Sequence, residues 1–368
     1  MSTTADGAGP ASEDAESTGD DAVDEEPDVA TDTIDLDAYD GPTESLSLVE
    51  GVRDGLELEL ARDDSVVVLG EDVGTNGGVF RATEHLQDEF GPNRVIDTPL
   101  AESAIVGSSI GLALSGMRPV AEMQFMGFAS PAYDQLVSHA AAMRSRSHGQ
   151  YTLPMVVRMP YGGGIAAPEH HSESREAAFV HEPGLKVVTP STPTDAKGLI
   201  AAAVRDPDPV IVLEPKRLYR AFREDVPEKP YTVPIGEASV RREGEDVSLF
   251  TWGASTQPAL AVAEDLAEEN GIDVEVVDLR SLSPLDVDTI AESVKKTGRA
   301  AVVHEAPKTA GVGAEVVATI NEEALYYLEA PVTRVTGFDT PVPLSTLEDF
   351  YLPQALRIRE GVLKAVEA

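Results

Sequence analysis

From Leu46 onward the apolar positions of this chain follow two alternating rhythms. Leu46, Val49, Val52, Leu56 and Leu60 recur at the three-to-four spacing of an amphipathic helix, which predicts a helix within 43–60. Short apolar runs at 66–69, 118–125, 154–159, 185–189 and 209–213 read as strands, and helical patterns at 131–146 and 194–205 separate them. A further apolar run of small residues, 105–116, begins just after the segment Asp97-Thr98-Pro99-Leu100-Ala101-Glu102. This alternation predicts an α/β domain with a parallel sheet covered on both faces. A polar, Pro-rich stretch at 223–234 interrupts the pattern and reads as a linker. The pattern then restarts. Strands at 247–251, 274–277, 300–304 and 332–335 alternate with helices at 256–270, 286–296 and 313–328, the first of them closed by Gly271. That predicts a second, smaller α/β domain. No tandem repeat is visible at solenoid periods.

Composition changes this picture at one end. Residues 1–42 are rich in Asp, Glu, Ser, Thr, Ala and Gly, carry almost no bulky apolar residue, and read as a disordered tail. The whole chain has 65 acidic against 28 basic residues in 368, a formal net charge of −37. Fifteen of the acids lie in residues 1–44, so the folded part remains strongly acidic. Lys is scarcer than Arg, at 8 against 20. Two explanations fit a uniform excess of this kind. One is a multimolar-salt interior, where the Debye length shrinks to roughly 3 Å and self-repulsion is screened; the other is a basic partner. Nucleic acid is excluded as a natural ligand, because the field repels phosphates.

Cysteine is absent, which excludes disulfides, thiolate nucleophiles and cysteine metal sites. No apolar run reaches the roughly 20 residues of a membrane helix, and the acidic N-terminus is unlike a signal peptide. A soluble, cytoplasmic protein without a membrane partner is the expectation.

Several motifs fall at predicted strand ends, where open α/β sheets bind ligands. Gly70-Glu71-Asp72-Val73-Gly74 follows the first strand but lacks the spacing of a dinucleotide fingerprint, as does Gly311-Val312-Gly313. Glu102 stands at the start of the small-residue helix. A carboxylate there is a candidate acid/base group if its seat is apolar, or a first-turn Glu that only favours the helix dipole. Tyr161-Gly162-Gly163-Gly164 is followed by Glu169-His170-His171-Ser172-Glu173. An imidazole after a flexible Gly-rich loop suits proton transfer; no third ligand lies at a metal-binding spacing, and a surface pair without a role is the alternative. Phe125 and Phe128 are either core or stacking surfaces for a planar heterocycle.

Taken together these residues resemble the β subunit of the thiamine-diphosphate-dependent first component of 2-oxo acid dehydrogenase complexes. The matching pieces are GEDVG at 70–74, GGVF at 77–80, DTPLAE at 97–102, RPVAEMQF at 118–125, PGLKVV at 183–188, DAKGL at 195–199, KKTGR at 295–299 and EAP at 305–307. They run in order, and the resemblance covers residues 45 to about 360. The resemblance implies two transketolase-like domains, a pyrimidine-binding domain at 43–225 and a C-terminal domain at 236–368, joined by a linker at 226–235. It also implies an α2β2 heterotetramer in which thiamine diphosphate lies between α and β. The Mg²⁺ and diphosphate would be held by a Gly-Asp-Gly…Asn motif of the α subunit, which this chain lacks, so it should be catalytically incomplete alone.

Residue by residue, Glu102 occupies the position of the glutamate that hydrogen-bonds the aminopyrimidine ring. Phe128 matches the aromatic packed against that ring, and Glu71 lies close behind. His171 matches the histidine that gives a proton when the acyl group passes to lipoyl-lysine; His170 has no matching role. A structural K⁺ site would fall on Met155, Ala203, Val204, Asp206 and Asp208, mostly through carbonyls, with Asp208 standing where some relatives have Asn. An ordinary helix-to-strand turn is the alternative there. The implied activity is decarboxylation of a 2-oxo acid, pyruvate foremost, with acyl transfer to a lipoylated acyltransferase. Branched-chain 2-oxo acids, acetoin, and a non-catalytic docking scaffold are the competing readings.

Overall fold

The computed structural model describes residues 33–36 and 38–368. The first 32 residues of the expected acidic tail, with Asp37, lie outside the described residues; Asp40–Pro42 lead without helix or strand into the first strand. The chain then runs β1 (Thr43–Leu46), α1 (Leu48–Arg62), β2 (Val66–Gly70), α2 (Leu86–Phe90), β3 (Val95–Asp97), α3 (Glu102–Leu114) and β4 (Arg118–Glu122). Next come α4 (Met143–Arg146), β5 (Val156–Tyr161), α5 (Glu176–Val180), β6 (Lys186–Val188), α6 (Pro193–Arg205), β7 (Val210–Pro215) and β8 (Glu224–Pro227). The C-terminal part is β9 (Ser239–Arg242), β10 (Val247–Thr251), α7 (Thr256–Asn270), β11 (Val274–Asp278), β12 (Ser281–Ser283), α8 (Val287–Thr297), β13 (Ala300–Pro307), α9 (Val312–Ala324), β14 (Thr333–Gly337), α10 (Ser345–Tyr351) and α11 (Ala355–Glu367).

Seven strands form the larger sheet in the order β12-β6-β7-β5-β4-β2-β3, parallel except for β12. Every residue of β2, β5 and β7 is buried, as a sheet covered on both faces requires. α1 and α6 pack together on one face through Leu48, Val52, Leu56, Leu199 and Ile200. On the other face, Ile105, Val106 and Ile110 of α3 join a core that continues through Phe250, Val277, Ile290 and Val316 of the C-terminal part. The smaller sheet, β14-β13-β10-β11-β9, is parallel apart from β9, and α7 and α11 cover its far side. Among the described residues no helix is long and apolar enough to cross a membrane.

Three sequence expectations change in the folded chain. The helical pattern at 43–60 begins with a strand, because β1 pairs antiparallel with β8 from the stretch read as a linker. That stretch is also anchored further on: Tyr231 and Val233 are buried against Gly198 of α6, the Val233 amide donates to the Gly198 carbonyl (3.1 Å), and a Cβ on Gly198 would collide with both side chains. Its Pro and charge content concealed two apolar anchors. The pattern at 131–146 is not one helix: a 3₁₀ turn at Met126–Ala132 is followed by a π segment at Gln135–Ala140 and only then by α4. Pro131 cannot donate to a helical ladder, and the Ala141 amide reaches back to the Leu136 carbonyl (2.9 Å), the wider π spacing.

Candidate active site

The carboxyl ends of β3, β2, β4, β5 and β7 stand side by side, with Gly70 in register with Asp97 and Glu122, and Tyr161 with Pro215. Each expected motif therefore leaves the same edge of the sheet. The loop after β2 is shaped by its own hydrogen bonds. The Asp97 carboxylate accepts the amides of Gly74 (2.6 Å) and Thr75 (3.1 Å), and Thr83 Oγ1 donates to the Val73 carbonyl (2.7 Å). Gly74 must be glycine here, since a Cβ would run into Gln87 and Asp97. This folding buries Glu71 to 8 % exposure.

Glu102 is the first residue of α3 and is half-buried. No side chain caps that helix end; the amides of Ala104 and Ile105 close onto the Ala101 carbonyl. Burial pushes the Glu71 carboxyl above its ordinary range, and the charges of Glu102 and then Asp72 push it further. Glu71 therefore keeps its proton to higher pH than an ordinary glutamate. Beyond Glu102, the side of α3 carrying Ala104, Ser108 and Gly111 is exposed, while Ile105, Val106, Ser109 and Ile110 face the core. A Cβ on Gly111 would meet nothing.

Beside α3, the 126–132 turn is joined to it by Ser103, whose hydroxyl donates to the Pro131 carbonyl. This turn carries Phe128, half-buried, which packs edge-to-face on Phe125 (5.4 Å between centroids) and on His171 (5.1 Å). Phe125 and His171 are closer still, at 4.4 Å, and Phe80 completes the cluster at 5.5 Å from Phe125. His171 closes a 3₁₀ turn, Glu169–His171, with its amide on the Pro168 carbonyl (2.9 Å), and its Nδ1 is buried without a hydrogen-bond partner among the described residues. A buried ring nitrogen left unpaired is costly unless another group meets it. The His171 loop lies so close to the 126–132 turn that a Cβ on Gly127 would strike the His170 carbonyl. His170 itself is exposed, beside Glu169.

Beneath this edge lies a feature that sequence reasoning missed. Arg158 of β5 is fully buried and donates to Glu122 of β4 (2.7 Å) and through two nitrogens to Glu214 of β7 (2.7 and 2.9 Å). Tyr219 Oη donates to Glu214 (2.6 Å), and its ring packs 5.2 Å from Phe80. The signal was present: a lone charge inside a wholly apolar strand run has to find a partner. Its partner strands only become adjacent in the fold.

Glu176, at the start of α5 just beyond the His171 loop, is 1 % exposed. Burial raises its carboxyl to about 7; its own amide and Trp252 pull it down, and Glu305 pushes it up. The folded state keeps this proton at pH values where the unfolded chain, near 4.5, has lost it. The contribution to stability is therefore complete below about pH 4.5 and is lost as pH rises through about 7, for a total of about 3 kcal/mol. Glu176→Gln should remove this dependence, unfolding with the parent at pH 5 and above the parent's temperature at pH 8. Parallel melting curves across that range would expose the error.

Four of the five residues expected around K⁺ have oxygens that accept hydrogen bonds. The Val204 carbonyl accepts from Arg118 (2.8 Å), Asp206 binds Lys186 through both oxygens (2.8 and 2.6 Å), Asp208 accepts from Arg144 (2.7 Å), and the Met155 carbonyl accepts the Val210 amide (3.0 Å). With Ala203 these residues lie around the helix-to-strand turn, where Lys186 and Arg144 pair the two aspartates. Among the described residues no group of three or more His, Asp or Glu side chains is arranged to hold a metal.

The sequence matches the transketolase pyrimidine-binding domain over residues 44–221 and the transketolase C-terminal domain over residues 236–358. It is 51% identical over 323 residues to the pyruvate dehydrogenase E1 component subunit beta of Acholeplasma laidlawii, covering 88% of this chain and 98% of that one. With the subunit of the same name from Bacillus subtilis (strain 168), identity is 52% over 322 residues, covering 88% and 99%. Among solved structures, a split-gene transketolase described as an inactive beta4 tetramer superposes with a TM-score of 0.71 at 24% identity, over 88% of this chain and 99% of that one, a likeness of fold.

Proposed function

Since this chain belongs to the family of pyruvate dehydrogenase E1 component β subunits, with the two transketolase domains of that family, we propose that it forms one half of a thiamine-diphosphate site that decarboxylates pyruvate and passes the acetyl group to a lipoyl-lysine. The observation that carries this reading is Glu102, half-buried at the start of α3 beside the buried Glu71, on the same sheet edge as Phe128 and His171. The residues present fit the pyrimidine end of the cofactor: a carboxyl for a ring nitrogen, aromatic faces for the ring, and an unpaired buried imidazole nitrogen.

When bound, the cofactor supplies the electron sink that makes loss of CO2 feasible. Glu102 then holds a proton against the aminopyrimidine nitrogen and cycles it as the ring changes protonation. Glu71, whose carboxyl ionises late, limits the negative charge behind Glu102. Phe125 and Phe128 exclude water and orient the ring. His171 moves a proton during acyl transfer, from beside Phe128. The diphosphate and Mg²⁺ fall to an α subunit, and the uncovered small-residue side of α3 offers that subunit close backbone approach in an α2β2 assembly. The acidic excess suits a protein of a high-salt cytoplasm.

The test is reconstitution. Co-expressed with its α subunit, the chain should release CO2 from pyruvate in preference to branched-chain 2-oxo acids and should leave acetoin uncleaved. A preference for a branched-chain acid or acetoin would move the substrate within the fold, and inactivity on all three would remove the enzymatic reading.

A further inference from the structure

The loop that presents His171 is held from outside its own domain. Between Tyr161 and His171 the backbone enters the left-handed region at Gly162 (φ 81°), Gly164 (φ 92°) and Ala166 (φ 56°). Such alternation turns successive amides toward one side and makes an anion-binding concavity. The anions are two carboxylates of the C-terminal domain. Glu305 of β13 accepts the Gly163 amide (3.1 Å); Glu348 of α10 accepts the amides of Gly164 (2.9 Å) and Ala166 (2.8 Å), one on each oxygen. Lys216 donates to the Gly162 carbonyl, and the Gly162 amide donates to the Glu173 carbonyl (3.0 Å), closing the loop at its base.

Glu348 differs from the other holders in what it serves. It is 4 % exposed on a helix whose other side, Leu347 and Phe350, is 59 % and 71 % exposed. Two charge-assisted bonds to consecutive turns of one loop are a costly use of a buried carboxylate unless the loop conformation matters. Ala166 pays for the left-handed conformation without being glycine, so its geometry persists only while something holds the amide. From Ala166 the chain reaches His171 through Pro168 and the 3₁₀ turn, whose Ser172 hydroxyl donates to the Ala167 carbonyl (3.3 Å). Glu71 sits on the loop after β2 and Glu102 at the start of α3, and Glu348 touches neither in any hydrogen bond or ion pair among the described residues.

We propose that Glu348 is a positioning residue for His171: by clamping the Gly164 and Ala166 amides from the C-terminal domain, it sets the loop for the acyl-transfer step and leaves decarboxylation alone. The proposal rests on the function given above for His171.

The experiment uses the assembled enzyme with its α subunit. Decarboxylation is read with ferricyanide as acceptor, and acyl transfer with a lipoylated domain. Glu348→Gln, which keeps one acceptor oxygen and turns the other into a donor facing an amide, should slow lipoyl acetylation about tenfold. Ferricyanide-coupled turnover and KM for pyruvate should stay within about twofold of the parent. In His171→Ala the added Glu348→Gln should cost nothing further, the non-additivity expected of residues acting as a unit. Equal loss in both assays would make Glu348 a merely structural carboxylate and overturn the proposal, as would full additivity. Unimpaired acyl transfer in His171→Ala alone would instead sink the role of His171, and with it this one. Should Glu348→Gln fail to assemble, amide exchange in the parent enzyme decides: fast exchange at Gly164 and Ala166 means no clamp exists.

Discussion

Glu102→Gln should reduce pyruvate decarboxylation by the chain assembled with its α subunit about a thousandfold in kcat, with that assembly unchanged. Glutamine keeps the length and hydrogen-bonding reach of the side chain but cannot take up and release a proton or carry a charge. At the first turn of α3 the carboxylate also meets the positive end of the helix, a contribution of at most about 1 kcal/mol. The two roles therefore predict different results. A helix-dipole glutamate would give a slightly lower melting temperature and a normal rate. A proton-cycling one gives a near-normal melting temperature and a collapsed rate. Glu102 is only half-buried and closes no ion pair among the described residues, so there is little else for the substitution to break. Sedimentation of the variant with its α subunit, beside CO2 release, separates the cases; a rate within tenfold of the parent would remove Glu102 from the chemistry.

The second large effect is on stability. Arg158→Met should destabilise the chain by about 3–5 kcal/mol, because it leaves Glu122 and Glu214 buried and facing each other without their cation. In a domain of this size that corresponds to a fall on the order of 10 °C in melting temperature. Burial already holds the Glu122 carboxyl above its ordinary range, with Arg158 pulling it down and Glu214 pushing it up. Without Arg158 the carboxyl rises further, so the folded variant keeps a proton that the unfolded chain releases. Its deficit should therefore be smallest in acid and grow as pH rises. Adding Glu122→Gln and Glu214→Gln to Arg158→Met should restore part of the loss, since two neutral amides cost less to bury than two charges. A single-variant loss below about 1 kcal/mol, or a deficit independent of pH, would show that water or a partner neutralises this site.

Much of the fold was legible because its signals are local. A buried parallel strand has both faces covered, so apolar runs such as 66–69 and 209–213 announce themselves. Helix α7 ends where Gly271 enters the left-handed region, as its position after the apolar stripe predicted. Glu102, Phe128 and His171 stood out because each follows a strand end. What stayed hidden was non-local. β1 looked like the start of α1 until β8 paired with it, and β12 lies in the C-terminal part of the chain yet joins the larger sheet. The 131–146 segment has helical spacing, but Pro131 and the close approach of the His171 loop leave it divided among a 3₁₀ turn, a π segment and α4.

By itself, then, the sequence determined the α/β class, the order of most elements and the chemistry available at the strand ends, because spacing, turn residues and isolated polar groups act over a few residues. Only the tertiary structure decided which of those groups meet. It brought Glu71 within electrostatic reach of Glu102 and packed Phe128 against His171, neutralised Glu122 and Glu214 with Arg158, set Arg118, Arg144 and Lys186 around the 203–208 turn, and tied the His171 loop to Glu348 across 184 residues of chain. Such pairings are set by strand order and domain packing, whose energies are sums over distant contacts that no local pattern encodes.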